Sequence, residues 1–179
     1  KAAGASLRVF ELLDHESSQQ AMDGLTPETA EGELQFKDVG FAYPSRPDQE
    51  VLKGIDLQLT SGEVVALVGL SGSGKSTIAA LISRLYEPQS GTLVFDSHPY
   101  GTLNANWLRG QVGVVSQEPI LFATTIEDNI RYGRPEASME DIEAAAQAAN
   151  AHGFITSFSQ GYQTLVGERG VRLSGGQKQ

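Results

Sequence analysis

The stretch Gly69-Leu-Ser-Gly-Ser-Gly-Lys-Ser-Thr77 sets the architecture expected for the chain. It fits G-x-x-x-x-G-K-[ST] at every fixed position, a pattern in which the backbone N–H groups of a glycine-rich loop surround phosphate oxygens. Gly72 and Gly74 allow positive φ and a close approach to a ligand. Lys75 supplies a cation for the β- and γ-phosphates, and the Ser76 hydroxyl can ligate Mg²⁺. The pattern predicts a loop that binds a nucleoside triphosphate.

The flanks of this loop support the prediction. The continuous apolar run Val64–Val68 predicts a strand covered on both faces. After the loop, apolar residues recur at helical spacing from Ile78 to Leu85, and Pro88 lies beyond the end of the predicted helix. The same segment does not fit G-x-S-x-G, because Ser73 occupies the last glycine position, so a hydrolase elbow is not supported.

Patterns elsewhere predict more strands and, in the second half of the chain, more helices. Period-two alternation or short apolar runs predict strands at Leu34–Phe41, Ile55–Leu59, Thr92–Phe95 and Val112–Val115. Thr125 and Asp128 resemble a helix cap before Ile126, and Met139–Ala149 is rich in alanine at helical spacing. This order predicts an α/β fold with a mixed β-sheet core, an antiparallel β part and an inserted helical subdomain.

The composition excludes several classes of function. The chain has 179 residues, with 13 Lys and Arg against 22 Asp and Glu, and its formal net charge is −9. Hydrophobic residues make up 40% and charged residues 20%, which is ordinary for a globular domain and argues against disorder. The acidic balance argues against a general nucleic-acid binder. The absence of cysteine excludes disulfides, thiolate metal sites and a cysteine nucleophile.

The two ends of the sequence resemble parts of longer elements. Residues 1–13 predict a helix, and residues 14–33 predict a polar linker of ~20 residues. No run approaches the ~18 apolar residues of a membrane span, and the N-terminal apolar part is too short for a signal peptide. Residues 174–179 predict the start of a helix rather than its end. We therefore expect both ends to be cuts in a longer protein.

A second glycine-bearing segment, Leu173-Ser-Gly-Gly-Gln177, precedes that predicted helix start. A polar residue followed by two glycines leaves free N–H groups that can face an anion. A chain rarely needs two phosphate sites for one nucleotide, so we expect the second to serve a nucleotide held by another copy. This segment resembles L-S-G-G-Q, the signature motif of the ATP-binding-cassette (ABC) superfamily. The phosphate loop at residues 69–77 is consistent with the same superfamily.

Other segments resemble motifs of the same superfamily. FAYP at residues 41–44 resembles the A-loop, which implies that Tyr43 stacks on adenine. VSQEP at residues 115–119 resembles the Q-loop, which implies that the amide oxygen of Gln117 reaches Mg²⁺ or the attacking water. TLVGERG at residues 164–170 resembles the X-loop that exporters place just before the signature.

The resemblance implies a P-loop NTPase fold of ABC type, from a subfamily B exporter of the half-transporter kind found in TAP-like and mitochondrial members. Residues 1–13 would then end the last transmembrane helix, residues 14–33 would be a linker, and residues 34–179 would be a partial nucleotide-binding domain. The Walker B strand, the D-loop, the switch histidine and the catalytic glutamate would follow the signature, so we expect the fold to be incomplete at the C-terminus. The complete protein would be a transport ATPase, and this chain alone is expected to be inactive.

The same resemblance implies the site residues and the cofactors, ATP and Mg²⁺. Lys75 and Gln117 would be catalytic, and Ser76 and Gln117 would ligate the metal ion. The expected nucleotide-binding residues are Tyr43, Gly69, Ser71, Gly72, Ser73, Gly74, Lys75, Ser76, Thr77, Gln117, Ser174, Gly175, Gly176 and Gln177.

The implied partners are a second nucleotide-binding domain, in a homo- or heterodimer, and the transmembrane domain of the same polypeptide. No nucleic acid is expected to bind. The resemblance implies an integral membrane protein whose nucleotide-binding domain faces the cytosol or the mitochondrial matrix.

Other interpretations stay open at this point. A soluble ABC protein that acts on nucleic acid or ribosomes is disfavoured by the predicted N-terminal helix and by the acidic charge. An unrelated P-loop kinase or GTPase would leave residues 173–177 as a coincidence. A non-catalytic or soluble ABC-type protein would bind ATP and gate a partner by ATP-dependent dimerisation.

Overall fold

A computed structural model describes Phe10, residues 23–167 and residues 172–179. The chain divides into two units, the first ending at Val114 and the second beginning at Val115. Of the predicted N-terminal helix, only Phe10 lies within the described residues, and it is helical; the predicted linker is described from Asp23 onward. No helix in these ranges is both long and apolar enough to cross a bilayer.

The described part of the predicted linker is hydrogen-bonded to the first unit. The N–H of Leu25 donates to the carbonyl of Thr102 (2.8 Å), and the N–H of Asn104 donates to the carbonyl of Leu25 (2.9 Å). The Asp96 carboxylate accepts hydrogen bonds from the consecutive N–H groups of residues 31–33, at 2.7–3.2 Å. These contacts hold the segment against the first unit, and the boundary of the linker stays a prediction.

The first unit is built on an antiparallel sheet with the strand order β2-β1-β3-β4. The strands are β1 (Leu34–Ala42), β2 (Glu50–Leu59), β3 (Ser90–Phe95) and β4 (His98–Pro99). The strands predicted at residues 34–41, 55–59 and 92–95 are confirmed, although β2 begins at Glu50, ahead of its predicted start. Alternation identified the first two because a strand of such a sheet buries one face and leaves the other partly in water.

Two helices pack with this sheet into one hydrophobic core. Helix α1 (Lys75–Ile82) buries Ile78 and Leu81, and helix α2 (Ala105–Gln111) buries Leu108. A 3-10 turn at Tyr100–Thr102 leads into α2. The buried members are Leu34, Phe36, Val39, Phe41, Leu52, Ile78, Leu81, Leu93, Phe95, Tyr100, Leu103 and Leu108. Because α1 and the first strands share this core, the phosphate-loop end of α1 is held next to β2.

Helix α1 is shorter than its apolar spacing predicts. It ends at Ile82, and Leu85, predicted on its apolar face, lies beyond it and is largely exposed. The chain leaves the helix through Arg84, which adopts φ 50°, while the N–H of Leu85 donates to the carbonyl of Ala80 (2.9 Å). This Schellman arrangement satisfies the last carbonyls of the helix and stops it one turn early.

The strands predicted at Val64–Val68 and Val112–Val115 are not formed, so both predictions are wrong for this structure. Val64 is 97% exposed and Val115 is 76% exposed. A strand exists only when a neighbour accepts and donates its backbone hydrogen bonds, and the described residues place no strand beside either segment. Among the described residues, therefore, only the antiparallel part of the expected mixed sheet is present.

The second unit is helical, as the sequence predicted. Its helices are α3 (Ile126–Arg131), α4 (Met139–Ala148), α5 (His152–Ser157) and α6 (Gly175–Lys178), with a 3-10 turn at Gly161–Gln163. A separate core of buried residues includes members of α3, α4, α5 and the 3-10 turn: Ile126, Ala137, Ile142, Ala146, Ile155, Tyr162 and Val166. The predicted helix at residues 139–149 is confirmed to within one residue.

Side-chain caps fix the starts of α3 and α4. The Thr125 hydroxyl accepts a hydrogen bond from the N–H of Asp128 (3.0 Å), which confirms the predicted cap. Ser138 and Asp141 form a reciprocal capping box, in which the Asp141 carboxylate accepts from the N–H of Ser138 (3.0 Å). An ion pair with Arg134, followed by the hydrogen bonds from Ser138, lowers the pKa of Asp141.

The lowered pKa of Asp141 predicts an acid-sensitive start of α4. Its charged form is stabilised in the folded state, so the contribution is fully present above the unfolded pKa of about 4 and is lost as the pH falls through the lower folded value. The substitution Asp141→Asn should lower the thermal unfolding midpoint of the protein at about pH 6, and the deficit should shrink towards about pH 2.

The control for this prediction is Glu140→Gln, which removes a neighbouring exposed acid that forms no ion pair among the described residues. The thermal unfolding midpoint of Glu140→Gln at about pH 6 should lie closer to that of wild type than the midpoint of Asp141→Asn does. A deficit of Asp141→Asn that stays constant over the same pH range would contradict the assignment of the cap.

Candidate functional site

A cavity of about 610 Å³ lies in the first unit, beside the glycine-rich loop. Its lining residues are Tyr43, Arg46, Gln49, Val51, Ser71, Gly72, Ser73, Gly74, Lys75, Ser76 and Thr77. The structure therefore brings the predicted A-loop tyrosine and most of the predicted phosphate loop around one space. Strand β2 lies between these two segments in the sequence, and its residue Val51 lines the same cavity.

Left-handed backbone shapes the loop. Gly72 has φ 83° and Gly74 has φ 91°, which confirms that both glycines adopt positive φ. Gly74 is also the N-cap of α1, and as a glycine it has no side chain that could accept a hydrogen bond from the first turn of that helix. The N–H groups at the start of α1 are thus left for a ligand, and the partial positive charge of a helix N-terminus favours an anion there.

The ammonium group of Lys75 lies within its own loop. Its Nζ donates hydrogen bonds to the carbonyl oxygens of Gly69 (2.7 Å) and Leu70 (2.7 Å) and to Oγ of Ser73 (3.2 Å). This arrangement fixes a cation at the end of the cavity where the predicted phosphate site lies. The carbonyl contacts are replaceable, because phosphate oxygens make stronger, charge-assisted hydrogen bonds with an ammonium group.

The two hydroxyl residues that follow Lys75 have different environments. Thr77 is buried, and its Oγ1 is 3.0 Å from the hydroxyl of Tyr43. Ser76 is exposed and lines the cavity, where its oxygen can serve as a metal ligand. The described residues contain no cluster of three His, Cys, Asp or Glu side chains that would hold a metal ion. A single hydroxyl ligand is compatible with Mg²⁺, which keeps several waters and few protein ligands in phosphate sites, and the metal contact of Ser76 stays a prediction.

Tyr43 is half-buried in an aromatic cluster. Its ring centroid is 5.1 Å from that of Phe41 and 5.3 Å from that of Tyr86, and both contacts are edge-to-face. Together with the hydroxyl contact to Thr77, this packing fixes the orientation of the ring at the cavity wall. A fixed aromatic ring suits stacking on a base, and the adenine contact itself stays a prediction.

Of the predicted site residues that do not line this cavity, Gly69 belongs to the first unit and the others lie in the second. Gln117 and Gly175 line a groove of about 750 Å³, and the backbone carbonyl of Gln117 accepts a hydrogen bond from Nε2 of Gln179 (3.3 Å). Ser174 and Gln177 cap the first turn of α6 reciprocally, because Oε1 of Gln177 accepts from the N–H of Ser174 (2.9 Å). The predicted helix start is confirmed, whereas the contact of these residues with a nucleotide stays a prediction.

Sequence reasoning missed three lining residues: Arg46, Gln49 and Val51. The signal that could have found them is the turn-forming segment between the first strands, in which Pro44 and Pro47 alternate with polar residues. Such a segment brings the chain back to the end of the strand that it has just left. Residues that follow Tyr43 closely must therefore come back to the same cavity.

The loop geometry predicts unequal costs for alanine at the two glycines. Gly72→Ala meets no atom within 4 Å and should cost only the left-handed strain, about 1 kcal/mol of unfolding free energy. In Gly74→Ala the new Cβ would lie 2.6 Å from Cδ2 of Leu52, so overpacking adds to the strain and the cost should reach about 2–4 kcal/mol. Denaturant unfolding of both variants measures the difference.

The control is Gly110→Ala in α2, where a Cβ meets open space and φ is not left-handed. This variant should be neutral or stabilised by up to about 1 kcal/mol, because alanine is the better helix former. Equal losses at the two loop glycines would contradict the close packing of Gly74 on β2.

Comparison with known proteins identifies the family. Residues 52–179 match the family described as ABC transporter. The chain is 51% identical over 179 residues to ABC transporter B family member 1 of Dictyostelium discoideum, covering 100% of this chain and 20% of that protein. It is 49% identical over 180 residues to ATP-binding cassette sub-family B member 5 of Homo sapiens, covering 99% of this chain and 14% of that protein.

A third relative is the mitochondrial potassium channel ATP-binding subunit of Mus musculus, at 57% identity over 149 residues, or 83% of this chain and 21% of that protein. The chain thus spans about a fifth or less of the length of these relatives. The family match runs through both the phosphate loop and residues 173–177, so an unrelated P-loop kinase or GTPase is not supported. The subfamily B resemblance is confirmed: the chain belongs to the ABC transporter family, as an ATP-binding domain similar to those of its B-family members.

Proposed function

We propose that this domain binds ATP together with Mg²⁺ and that, in the complete protein, it hydrolyses ATP to drive transport of a substrate across a membrane. The observation that carries the proposal is the cavity beside residues 71–77. It combines unoccupied N–H groups at the start of α1, a fixed cation at Lys75 and a fixed aromatic ring at Tyr43. The N–H groups and the Lys75 cation suit the phosphates of a nucleoside triphosphate, and the aromatic ring suits its base.

Each proposed role follows from the chemistry of its residue. Gly69 and residues 71–77 surround the phosphates, and the Lys75 ammonium neutralises charge on the β- and γ-phosphate oxygens. The Ser76 hydroxyl ligates Mg²⁺, and Tyr43 stacks on adenine. Gln117 supplies an amide oxygen for the metal ion or the attacking water. Phosphoryl transfer then depends mainly on positioning and charge stabilisation, which these groups provide.

Residues Ser174–Gln177 are proposed to complete the site of a second nucleotide-binding domain. Two domains would pair head to tail, so that each ATP lies between the phosphate loop of one copy and the signature segment of the other. ATP would hold the pair together, and loss of the γ-phosphate on hydrolysis would release it. Support comes from Ser174 and Gln177, whose capping box fixes the local backbone before a ligand binds.

The exposed segment Ile120–Thr125 is proposed to contact the transmembrane domain. Ile120 is 92% exposed and Phe122 is half-exposed, and the Phe122 ring lies 4.5 Å from that of the exposed Tyr132. Apolar side chains in water at the end of the Gln117 segment suit a docking contact that passes on the movement of that segment.

The proposed organisation of the complete protein follows the same resemblance. Residues 1–13 would end the last transmembrane helix and residues 14–33 would link it to the domain at residues 34–179. The domain would face the cytosol or the mitochondrial matrix; the name of the Mus musculus relative favours the second compartment for that protein.

Lys75→Ala tests the proposal in the complete protein, reconstituted in lipid. Phosphate release from Mg-ATP should fall at least about 100-fold, because the cation that stabilises the transferring phosphoryl group is lost. The matched control is Lys37→Ala, which removes an exposed lysine of β1 that does not line the cavity. The control should hydrolyse ATP at the wild-type rate, and unaltered hydrolysis by Lys75→Ala would refute the assignment.

A further inference from the structure

We propose that Arg46 is a second cation for the nucleotide, which contacts the phosphate nearest the nucleoside while Lys75 serves the far end of the polyphosphate. The inference rests on the proposed function and deepens it. It assigns a binding role to a residue outside the sequence motifs.

Two successive backbone turns fix where Arg46 lies relative to Tyr43. The N–H of Arg46 donates to the carbonyl of Tyr43 (2.8 Å), and the N–H of Gln49 donates to the carbonyl of Arg46 (3.1 Å). Pro44 and Pro47 follow the first residue of each turn and restrict its backbone. Tyr43, Arg46 and Gln49, the first and last residues of these turns, all line the cavity. Arg46 therefore reaches it from the side of the aromatic ring.

The cavity wall is positively charged. Arg46 and Lys75 are the charged residues among those that line it, and no carboxylate is present in that lining. A chain with a net charge of −9 thus presents two cations to one space. Such a local arrangement attracts an anion whatever the sign of the whole protein, because the field near a cleft is set by its nearest charges.

Arg46 is available for a ligand. Within the described ranges its side chain is exposed and forms no ion pair with a carboxylate. Lys75, in contrast, is already held by the carbonyls of its loop. A guanidinium group only donates hydrogen bonds, in a planar fork that matches two phosphate oxygens.

The position of Arg46 selects the end of the nucleotide. It enters from the Tyr43 side, where the base is proposed to stack, whereas Lys75 marks the β- and γ-phosphate end. The nearest acceptors for Arg46 are then the oxygens of the first phosphate, which ATP and ADP share. Loss of Arg46 should therefore weaken the binding of ATP and of ADP equally. Loss of Lys75 should weaken the binding of ATP more than that of ADP.

Calorimetric titration of the complete protein with ATP and with ADP tests the inference. Arg46→Gln should lower the affinity for both nucleotides about tenfold, which is the usual effect of losing one charge-assisted hydrogen bond. It should also reduce the salt dependence of binding. Arg46→Lys keeps the charge but loses the planar fork, so its affinity for both nucleotides should lie between those of wild type and Arg46→Gln. Because the side chain is exposed and the turns are made by the backbone, the unfolding midpoints of both variants should match wild type.

Lys37→Ala is the control for loss of a distant positive charge and should bind like wild type. The inference is overturned if Arg46→Gln binds both nucleotides normally, if it weakens ATP alone, or if Arg46→Lys is as weak as Arg46→Gln. Failure of the wild-type protein to bind ATP would instead overturn the proposed function, so the two failures are distinguishable.

Discussion

Left-handed backbone at two glycines is the constraint on which the site depends. With Gly72 at φ 83° and Gly74 at φ 91°, the chain turns sharply into α1, and the glycine at the N-cap supplies no side chain to the first N–H groups of that helix. The packing of Gly74 against Leu52 ties this turn to β2, and the buried residues of α1 tie it to the core. The proposed anion site is thus attached to the buried core of the first unit, and Thr77 is itself buried while Ser76 is exposed.

Local charge gives the cavity its chemical character. The protein is acidic overall, yet the cavity wall carries Arg46 and Lys75 and no carboxylate. Net charge governs solubility and long-range steering, whereas affinity for a phosphate depends on donors within hydrogen-bond distance. These groups favour a highly charged ligand that contacts both cations and stacks on the Tyr43 ring. They offer no comparable interactions to a neutral molecule.

The sequence predicted those elements whose signals are local. Alternation identified β1 and the second half of β2, and the cap at Thr125 and the helix start at Ser174 were recognisable because a capping side chain bonds only two or three residues ahead. The apolar runs Val64–Val68 and Val112–Val115 were misread because strand formation depends on a neighbour, which an apolar run does not supply. Arg46 was missed because an exposed cation has no periodic signal; only the turns after Tyr43 place it at the cavity.

Amide hydrogen exchange with and without Mg-ATP tests the central claim most directly, because it reports on the backbone N–H groups that are proposed to surround the phosphates. The account predicts that ATP slows exchange at residues 71–77 more than anywhere else in the first unit, since these N–H groups acquire phosphate acceptors. Binding of ATP that leaves exchange at residues 71–77 unchanged would contradict it.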